Sequence, residues 1–267
     1  FGVDMPKGVL IAGVPGCGKS LNAKAAAHLF QVPLLRMDMG RLMGKYVGES
    51  EGNLRKAIAL AEAISPCVLW IDELEKAFAG IGGGSGSGAE VTTRLFGNFL
   101  TWMQEKENTV FIVATANDIS RLPPEFLRKG RFDELFFVDL PNGTERRKIL
   151  EIHLKKRKKW NENIDSIALI KETEGYNGAD LEAVVKDTIE RAFIEGRTTI
   201  TTADLVRSIK DTKSISCTLK DKIASIQKTV EKIDIKPASL DDKKEKEPDP
   251  SQAYVKAAKA KADAEKA

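Results

Sequence analysis

Five short apolar runs alternate with longer and more polar segments in the first half of the chain. Segments with helical character, such as Lys19–Phe30 and Ser50–Ala63, separate most of these runs. Strands that are apolar throughout and are separated by helices are typical of a parallel sheet covered on both faces. The pattern predicts an α/β domain over residues 1–141, with a parallel five-stranded sheet, helices on both faces and right-handed crossovers. The predicted strands are Val9–Val14, Leu34–Met39, Val68–Ile71, Val110–Ala114 and Leu135–Leu140.

Strand signals end at Pro141, and helical periodicity follows. Asn177-Gly178 and Thr201-Thr202 are suitable helix starts. Residues 142–212 are therefore predicted to form a small all-helical lid domain. Its predicted helices are Thr144–Lys158, Ile164–Glu172, Ala179–Glu195 and Thr202–Asp211.

Three segments lie outside these two predicted cores. Residues 213–240 form a predicted C-terminal helical extension, because Lys220–Ile233 has helical spacing; it could pack on the same chain or on a neighbour. Residues 241–267 are charged and predicted to be disordered, although Tyr254–Ala267 is also compatible with a marginal helix. The Gly-rich stretch Gly80–Gly88 predicts a flexible loop inside the first domain.

Composition narrows the function classes. Residues 1–212 contain 29 basic and 29 acidic residues, so their charge gives no support for nucleic acid as the main partner. Three widely spaced cysteines argue against a disulfide framework or a zinc site and suit a reducing compartment. No apolar run is long enough to cross a membrane. The chain begins at Phe1, close to a predicted strand and without an initiator Met, which indicates a fragment of a longer protein.

The segment Gly13–Ser20 matches the phosphate-binding pattern G-x-x-x-x-G-K-[ST] between a predicted strand and a predicted helix. Glycines let backbone N–H groups surround a phosphate, and the helix start adds positive potential. We expect Lys19 to reach the β- and γ-phosphates of ATP, and the Ser20 hydroxyl to bind Mg²⁺. Cys17 occupies a position that the pattern leaves open to any residue. Its thiol either has no chemical role or senses oxidation. The predicted nucleotide-binding residues here are Gly13, Val14, Pro15, Gly16, Cys17, Gly18, Lys19, Ser20 and Leu21.

Two acidic residues, Asp72 and Glu73, end the apolar run that begins at Val68. Carboxylates at the end of a buried strand are costly unless they have a role. Beside a phosphate-binding loop, we expect Asp72 to hold the Mg²⁺ shell and Glu73 to activate the attacking water. Asn117 ends another predicted strand and could bind the γ-phosphate or that water, although Asn is common after strands.

Two arginines, Arg128 and Arg131, lie three residues apart in the segment 127–133. A guanidinium is planar and always charged, which suits the charge that develops on a transferred phosphoryl group. Taken alone, the two arginines are equally compatible with a solvated surface.

These motifs in this order resemble the AAA+ superfamily, and within it the AAA group that includes FtsH and the microtubule-severing and membrane-remodelling ATPases. The resemblance covers roughly Phe1 to Asp211. The stretch Leu34–Asp139 is more particularly similar to the uncharacterised FtsH-related AAA ATPases of cyanobacteria and plastid genomes and their bacterial relatives.

The resemblance implies roles for several residues. Arg128 and Arg131 would be arginine fingers that reach the nucleotide of the adjacent subunit in a homohexamer. Asn117 would be the first sensor of the nucleotide. The residues that would contact the nucleotide from the lid are Ile149 and His153 at the adenine, and Gly178 and Ala179 as the second sensor.

Tyr46 and Val47 resemble the pore loop of the family, which faces the central channel of the ring and grips a polypeptide. A core aromatic residue is the alternative for Tyr46. Met103-Gln104-Glu105-Lys106 departs from the Met-Asp-Gly-Phe element that relays the nucleotide state between subunits. The chain has no HExxH pattern, so the zinc protease of FtsH is not expected in it.

The expected function is Mg²⁺-dependent ATP hydrolysis in a ring, coupled to unfolding or remodelling of a protein client. The alternative is an ATP-gated assembly scaffold with little turnover, and a nucleic-acid motor is a weaker third. The expected location is the cytoplasm, or the plastid stroma for a plastid-encoded chain.

Overall fold

The computed structural model describes residues 5–39, 47–78, 87–128 and 130–239. Six parallel strands form one sheet with the order β2-β3-β4-β1-β5-β6 within this part of the chain. The strands are β1 Gly8–Gly13, β2 Leu34–Asp38, β3 Cys67–Asp72, β4 Val110–Ala116, β5 Glu134–Val138 and β6 Lys236–Pro237.

Helices cover both faces of the sheet. On one face, α1 (Lys19–Phe30) buries Ala23 and Ala27 against outward residues of the central strands. On the other face, α2 (Val47–Ile64) and α3 (Ser87–Glu105) form the largest apolar cluster of the described residues. Every residue of β3 is buried, because alternate side chains enter the two opposite clusters. This two-sided burial explains the continuous apolar runs of the sequence.

The helical domain follows β5 and has its own apolar core. Asn142 and Glu145 form a reciprocal capping box at its first helix. A second capping box, of Asn177 and Asp180, begins the helix that reaches the first domain. The helices of this domain are α5 Gly143–Lys156, α6 Ser166–Glu172, α7 Gly178–Ile194 and α8 Thr202–Asp211; the short helix α4 Pro124–Leu127 precedes β5.

The segment after the lid returns to the sheet. It contains α9 (Ile215–Thr218) and α10 (Lys220–Val230), and its residues Val230, Ile233 and Ile235 pack against the core of the first domain. The chain then pairs with β5 as β6, where the Ala238 N–H donates to the carbonyl of Phe137 at 2.8 Å.

This return corrects one prediction and resolves another. The sheet has a sixth strand, which the sequence pattern did not indicate because β6 is only two residues long and contains Pro237. The region 213–240 is consequently not entirely helical. Of the two placements left open for Lys220–Ile233, packing on the same chain is the one observed.

Some predicted features fall outside the described residues. These are Tyr46, nearly all of the Gly80–Gly88 loop, and the tail after residue 239. Val47 is the first residue of α2. Among the described helices, none combines the length and the apolar character that a bilayer crossing needs.

Candidate active site

The phosphate-binding segment Gly13–Ser20 joins β1 to α1 at the carboxyl end of the central strand. Gly16 has a φ of 75°, and a Cβ added there would lie 2.3 Å from the Asn177 side-chain nitrogen. Gly18 begins α1 in the left-handed conformation, with a φ of 84°. Burial raises the pKa of the Cys17 thiol to about 11, so this thiol is neutral at physiological pH. The loop therefore has the tight backbone that the motif predicts.

Lys19 is buried beneath this loop. Its Nζ donates to the carbonyls of Gly13 at 2.9 Å and Val14 at 2.8 Å. Burial lowers the pKa of Lys19 to about 8, against the opposing effect of nearby negative groups. An anionic phosphate beside Nζ would favour the charged form again and raise this pKa.

The start of α1 suits a phosphate. Its first turn contains no acidic residue, and Gly18 provides no side chain to cap the helix. The N–H groups of a first helical turn have no partners within the helix, and the helix dipole is positive there. The loop, Lys19 and this helix start together fit the phosphates of a nucleotide.

Asp72 ends β3 beside the loop, and both of its carboxylate oxygens are engaged. The Thr115 hydroxyl donates to Oδ1 at 2.8 Å, and Arg36 Nη2 donates to Oδ2 at 2.8 Å. Asp72 also acts electrostatically on Lys19. Ser20 directly follows Lys19 in α1. The hydroxyl of Ser20 and the carboxylate of Asp72 are hard oxygen donors of the kind that Mg²⁺ prefers, so the residues present fit this ion.

Glu73 follows Asp72 with a φ of 54°, in the left-handed region that few residues other than glycine adopt. Its Oε2 lies 2.5 Å from Lys76 Nζ in the following 3₁₀ turn. The left-handed backbone directs the chain away from β3, and the ion pair holds the Glu73 carboxylate beside the exposed Lys76. Such strained residues concentrate at functional sites.

A second carboxylate, Glu75, is buried in the same turn. Burial raises its pKa, while the backbone N–H and side-chain amide of Asn117 act in the opposite direction. Glu75 Oε2 has no hydrogen-bond partner among the described residues. Asn117 follows β4 and is half-buried. A buried acid therefore lies against the residue expected to sense the nucleotide.

The lid touches the phosphate-binding loop directly. The Asn177 side-chain amide donates to the Pro15 carbonyl at 2.8 Å, and the Ala179 N–H donates to the Gly16 carbonyl at 3.1 Å. A Cβ added to Gly178 would lie 3.1 Å from the Gly16 carbonyl oxygen. The start of α7 is therefore in contact with the loop; a contact of Gly178 and Ala179 with the nucleotide stays a prediction.

The two residues expected at the adenine lie in α5. Ile149 packs against the core of the lid. His153 is half-buried, and burial lowers its pKa. Its Nδ1 lies 3.9 Å from Glu182 Oε1 and 3.4 Å from Arg157 Nη1. Both residues thus have partners within the lid.

Arg128 and Arg131 lie at the opposite end of the sheet. They precede β5, whereas the loop follows β1, and these two strands are parallel neighbours. Asp133 fastens this segment by accepting from the backbone N–H groups of Lys7 at 2.6 Å and Gly8 at 2.8 Å. Six residues of β1 separate the two ends by roughly 16 Å. The backbone of both arginines therefore lies at the end of the sheet away from the loop of their own chain.

Several residues of the site were not identified from the sequence. Asn177 was predicted only as a helix start. Arg36 left a weak signal, because it is the one cation in the predicted strand Leu34–Met39, which also contains Asp38. Glu75 and Thr115 left none, since only the fold shows that Glu75 points inward and that Thr115 lies beside Asp72.

Two families of known sequences match the chain. The family described as ATPase family associated with various cellular activities (AAA) matches residues 9–140, and the AAA+ lid domain matches residues 161–207.

Individual relatives agree with this result. The uncharacterized AAA domain-containing protein ycf46 of Guillardia theta is 45% identical over 229 residues, which are 85% of this chain and 44% of that protein. The proteasome-activating nucleotidase of Pyrococcus abyssi is 35% identical over 210 residues, 78% of this chain and 52% of that protein. The ATP-dependent zinc metalloprotease FtsH of Thermotoga maritima is 35% identical over 211 residues, 78% of this chain and 34% of that protein.

The chain thus spans about half or less of the length of these relatives. With a parallel α/β domain, a helical lid and a phosphate-binding loop between them, it belongs to the AAA family of ATPases.

Proposed function

We propose that this chain is the ATP-hydrolysing part of a ring-shaped assembly, a homohexamer, that remodels or unfolds a protein client. The observation that carries the proposal is the buried Lys19 beneath a helix start, together with Asp72 at the end of β3 and Glu73 directly after it, at the same end of the sheet. Two relatives, named as a proteasome-activating nucleotidase and an ATP-dependent protease, support a protein client.

ATP would bind between the two domains. The loop N–H groups and Lys19 would hold the phosphates, while Ile149, His153, Gly178 and Ala179 would contact the nucleoside from the lid. Leu21 is exposed beside the helix start. The direct contacts of α7 with the loop support a lid whose position depends on the nucleotide.

Ser20 and Asp72 would hold Mg²⁺, which neutralises charge on the phosphates when bound. Glu73 would accept a proton from the attacking water, and the Asn117 amide would orient that water or the γ-phosphate. For Glu73 to act, its carboxylate must leave Lys76 Nζ, because a carboxylate paired with an ammonium is a weaker base.

Arg128 and Arg131 would complete the site of a neighbouring subunit. Their place at the amino end of the sheet supports action in trans, since a heterologous interface joins opposite faces of identical subunits and closes into a ring. Hydrolysis would then depend on assembly. The gripping role of Tyr46 and Val47, the absence of a nucleic-acid partner and a cytoplasmic or stromal location remain predictions.

The first test is Glu73→Gln, which keeps the shape of the side chain and removes its basicity. We expect kcat to fall by about 10²-fold or more, with the affinity for ATP unchanged. Steady-state ATPase should be measured against protein concentration, where the rate per subunit of the unaltered protein should rise steeply as rings form. Full turnover by Glu73→Gln would exclude Glu73 as the water activator.

An ATP-gated scaffold with little turnover is the second candidate. The ion pair between Lys76 and Glu73 favours it, because it holds the expected base away from its task. The altered element Met103-Gln104-Glu105-Lys106 also favours it. A rate per subunit that stays low and flat at every protein concentration would select this candidate over the motor.

A further inference from the structure

The Asp72 carboxylate is held from two opposite sides. Thr115, on β4, donates its hydroxyl to Oδ1 at 2.8 Å, and Arg36, on β2, donates Nη2 to Oδ2 at 2.8 Å. Asp72 itself ends the strand between them, β3. A carboxylate at the end of a strand can rotate about two torsions, and two bonds from opposite sides select one orientation.

Trp70 joins the two donors into one cluster. The Arg36 guanidinium lies 4.7 Å from the centre of the Trp70 ring, and Trp70 Nε1 donates to the Thr115 hydroxyl at 3.5 Å. Arg36 and Trp70 are direct partners in the register of β2 and β3. Stacking on an aromatic face restricts a long side chain that would otherwise be free, since the side chain of Arg36 is 55% exposed.

This cluster is more than a means of satisfying buried polar groups. An apolar residue at position 115 would suit its 2% exposed environment at no cost in desolvation. Arg36 is the one cation of β2, where it precedes the buried Met37. The hydroxyl of Thr115 and the guanidinium of Arg36 converge on the one carboxylate that the proposed function assigns to the metal shell.

We infer that Arg36 and Thr115 are positioning residues that fix the orientation of the Asp72 carboxylate for binding of the divalent cation with the nucleotide. The inference rests on the proposed function, because it takes Asp72 as part of the Mg²⁺ shell. Residues that orient metal-binding groups change metal affinity when they are replaced, without touching the metal themselves.

The two donors contribute unequally. Thr115 is buried, so loss of its hydroxyl leaves Oδ1 without that donor in a site that is mostly closed to water. Arg36 is half-exposed, so water and salt screen its ion pair. The change at Thr115 should therefore have the larger effect.

The test measures metal binding apart from turnover, with Mn²⁺ as the probe. Thr115→Val removes the hydroxyl at nearly constant volume, Thr115→Ser restores it, and Arg36→Met removes the guanidinium. Binding of Mn²⁺ to the ADP complex is followed by electron paramagnetic resonance. We expect about tenfold weaker Mn²⁺ binding for Thr115→Val and about threefold weaker for Arg36→Met. Thr115→Ser should bind within about twofold of the unaltered protein.

Two matched controls separate positioning from general destabilisation. Thr188→Val removes another buried hydroxyl, one that donates to a carbonyl in the lid. Arg55→Met removes another arginine of an ion pair, that with Glu51 on α2. Neither control should change Mn²⁺ affinity, and melting temperatures show that every variant is folded.

Asp72→Asn distinguishes the inference from the proposal beneath it. Loss of Mn²⁺ binding in Asp72→Asn, with unchanged binding in Thr115→Val and Arg36→Met, overturns the positioning role and leaves the function intact. Unchanged Mn²⁺ binding in Asp72→Asn removes Asp72 from the metal shell and refutes that part of the proposed function.

Discussion

The charged residues at the two ends of the parallel sheet differ in their burial and in their partners. At the carboxyl end, Lys19 and Asp72 are buried and contact partners within their own chain. At the amino end, Arg128 is exposed, and Arg131 Nη1 donates to the Leu100 carbonyl over a long 3.5 Å. Asp133 holds the backbone of that segment by accepting from the N–H groups of Lys7 and Gly8.

This difference indicates two roles within one domain. Buried charges with internal partners are preorganised to bind a ligand in their own chain. Charges that are presented outward from a fastened backbone suit a ligand held by another molecule. The length of β1 separates the two ends of the sheet by roughly 16 Å, which supports the proposal that the two sets act in different subunits.

The largest expected effect comes from mixing two inactive variants, which tests whether the two ends of the sheet act in different subunits. Glu73→Gln damages the carboxyl end and Arg131→Ala damages the amino end, and we expect each to lose about 10²-fold or more of kcat alone. In an equal mixture, about a quarter of the neighbouring pairs unite an intact Glu73 with an intact Arg131. ATPase activity should therefore return to a substantial fraction of that of the unaltered protein.

A mixture that remains as inactive as its components would contradict action in trans. The control mixture combines Glu73→Gln with Lys19→Ala, two variants that damage the same end. That mixture should stay inactive, because no pair of neighbours then contains a whole carboxyl end.

A smaller effect is expected when the backbone that carries Arg128 and Arg131 loses a hydrogen-bond acceptor and both arginines are kept. Asp133→Ala removes the acceptor of two backbone N–H groups and should cost about 1–3 kcal/mol of stability. We expect kcat to fall by about tenfold, because misplaced groups lose much of their effect, while the affinity for ATP stays the same. Kinetics and calorimetry measure these changes.

Asp165→Ala is the matched control for this change. Asp165 accepts from the N–H groups of Ile167 at 3.0 Å and Ala168 at 3.2 Å at the start of α6. It should lower stability by a similar amount with kcat unchanged below the melting temperature. An equal loss of kcat in both variants would show that Asp133 acts only through stability.

The smallest expected effect concerns Glu75, a buried carboxylate at the carboxyl end of the sheet. Burial raises the pKa of Glu75 from 4.5, so the folded state binds its proton more tightly than the unfolded state does. Stability of the unaltered protein is therefore lost as pH rises through the window from 4.5 to the folded pKa. Glu75→Gln cannot titrate, so its melting temperature should rise relative to that of the unaltered protein as pH increases across that window.

Thermal melts at several pH values measure this difference. Glu172→Gln, a change at an exposed carboxylate at the end of α6, controls for loss of one negative charge. The difference in melting temperature between Glu75→Gln and the unaltered protein should change with pH. If it stays constant, the folded protein does not hold the Glu75 proton more tightly than the unfolded protein does.

Much of the fold and part of the site could be predicted from local patterns. The apolar runs located five strands, and the signal is clearest for β3, which is buried on both faces and therefore has a continuous apolar sequence. The loop Gly13–Ser20 was recognisable because binding a phosphate with backbone N–H groups requires glycines at set intervals. Asp72, Glu73 and Asn117 could be assigned to the site for a different reason. Each one ends a strand or directly follows it, and parallel strands bring their carboxyl ends together.

What the sequence alone determined is therefore the set of elements whose physics is local: the strands, the helices with their caps, and the phosphate-binding loop. Only the tertiary structure decided the contacts between distant residues. It placed Thr115 and Arg36 on Asp72, Asn177 on the loop, and β6 beside β5. Such contacts depend on strand order and on how domains close, and neither leaves a periodic signal in the chain.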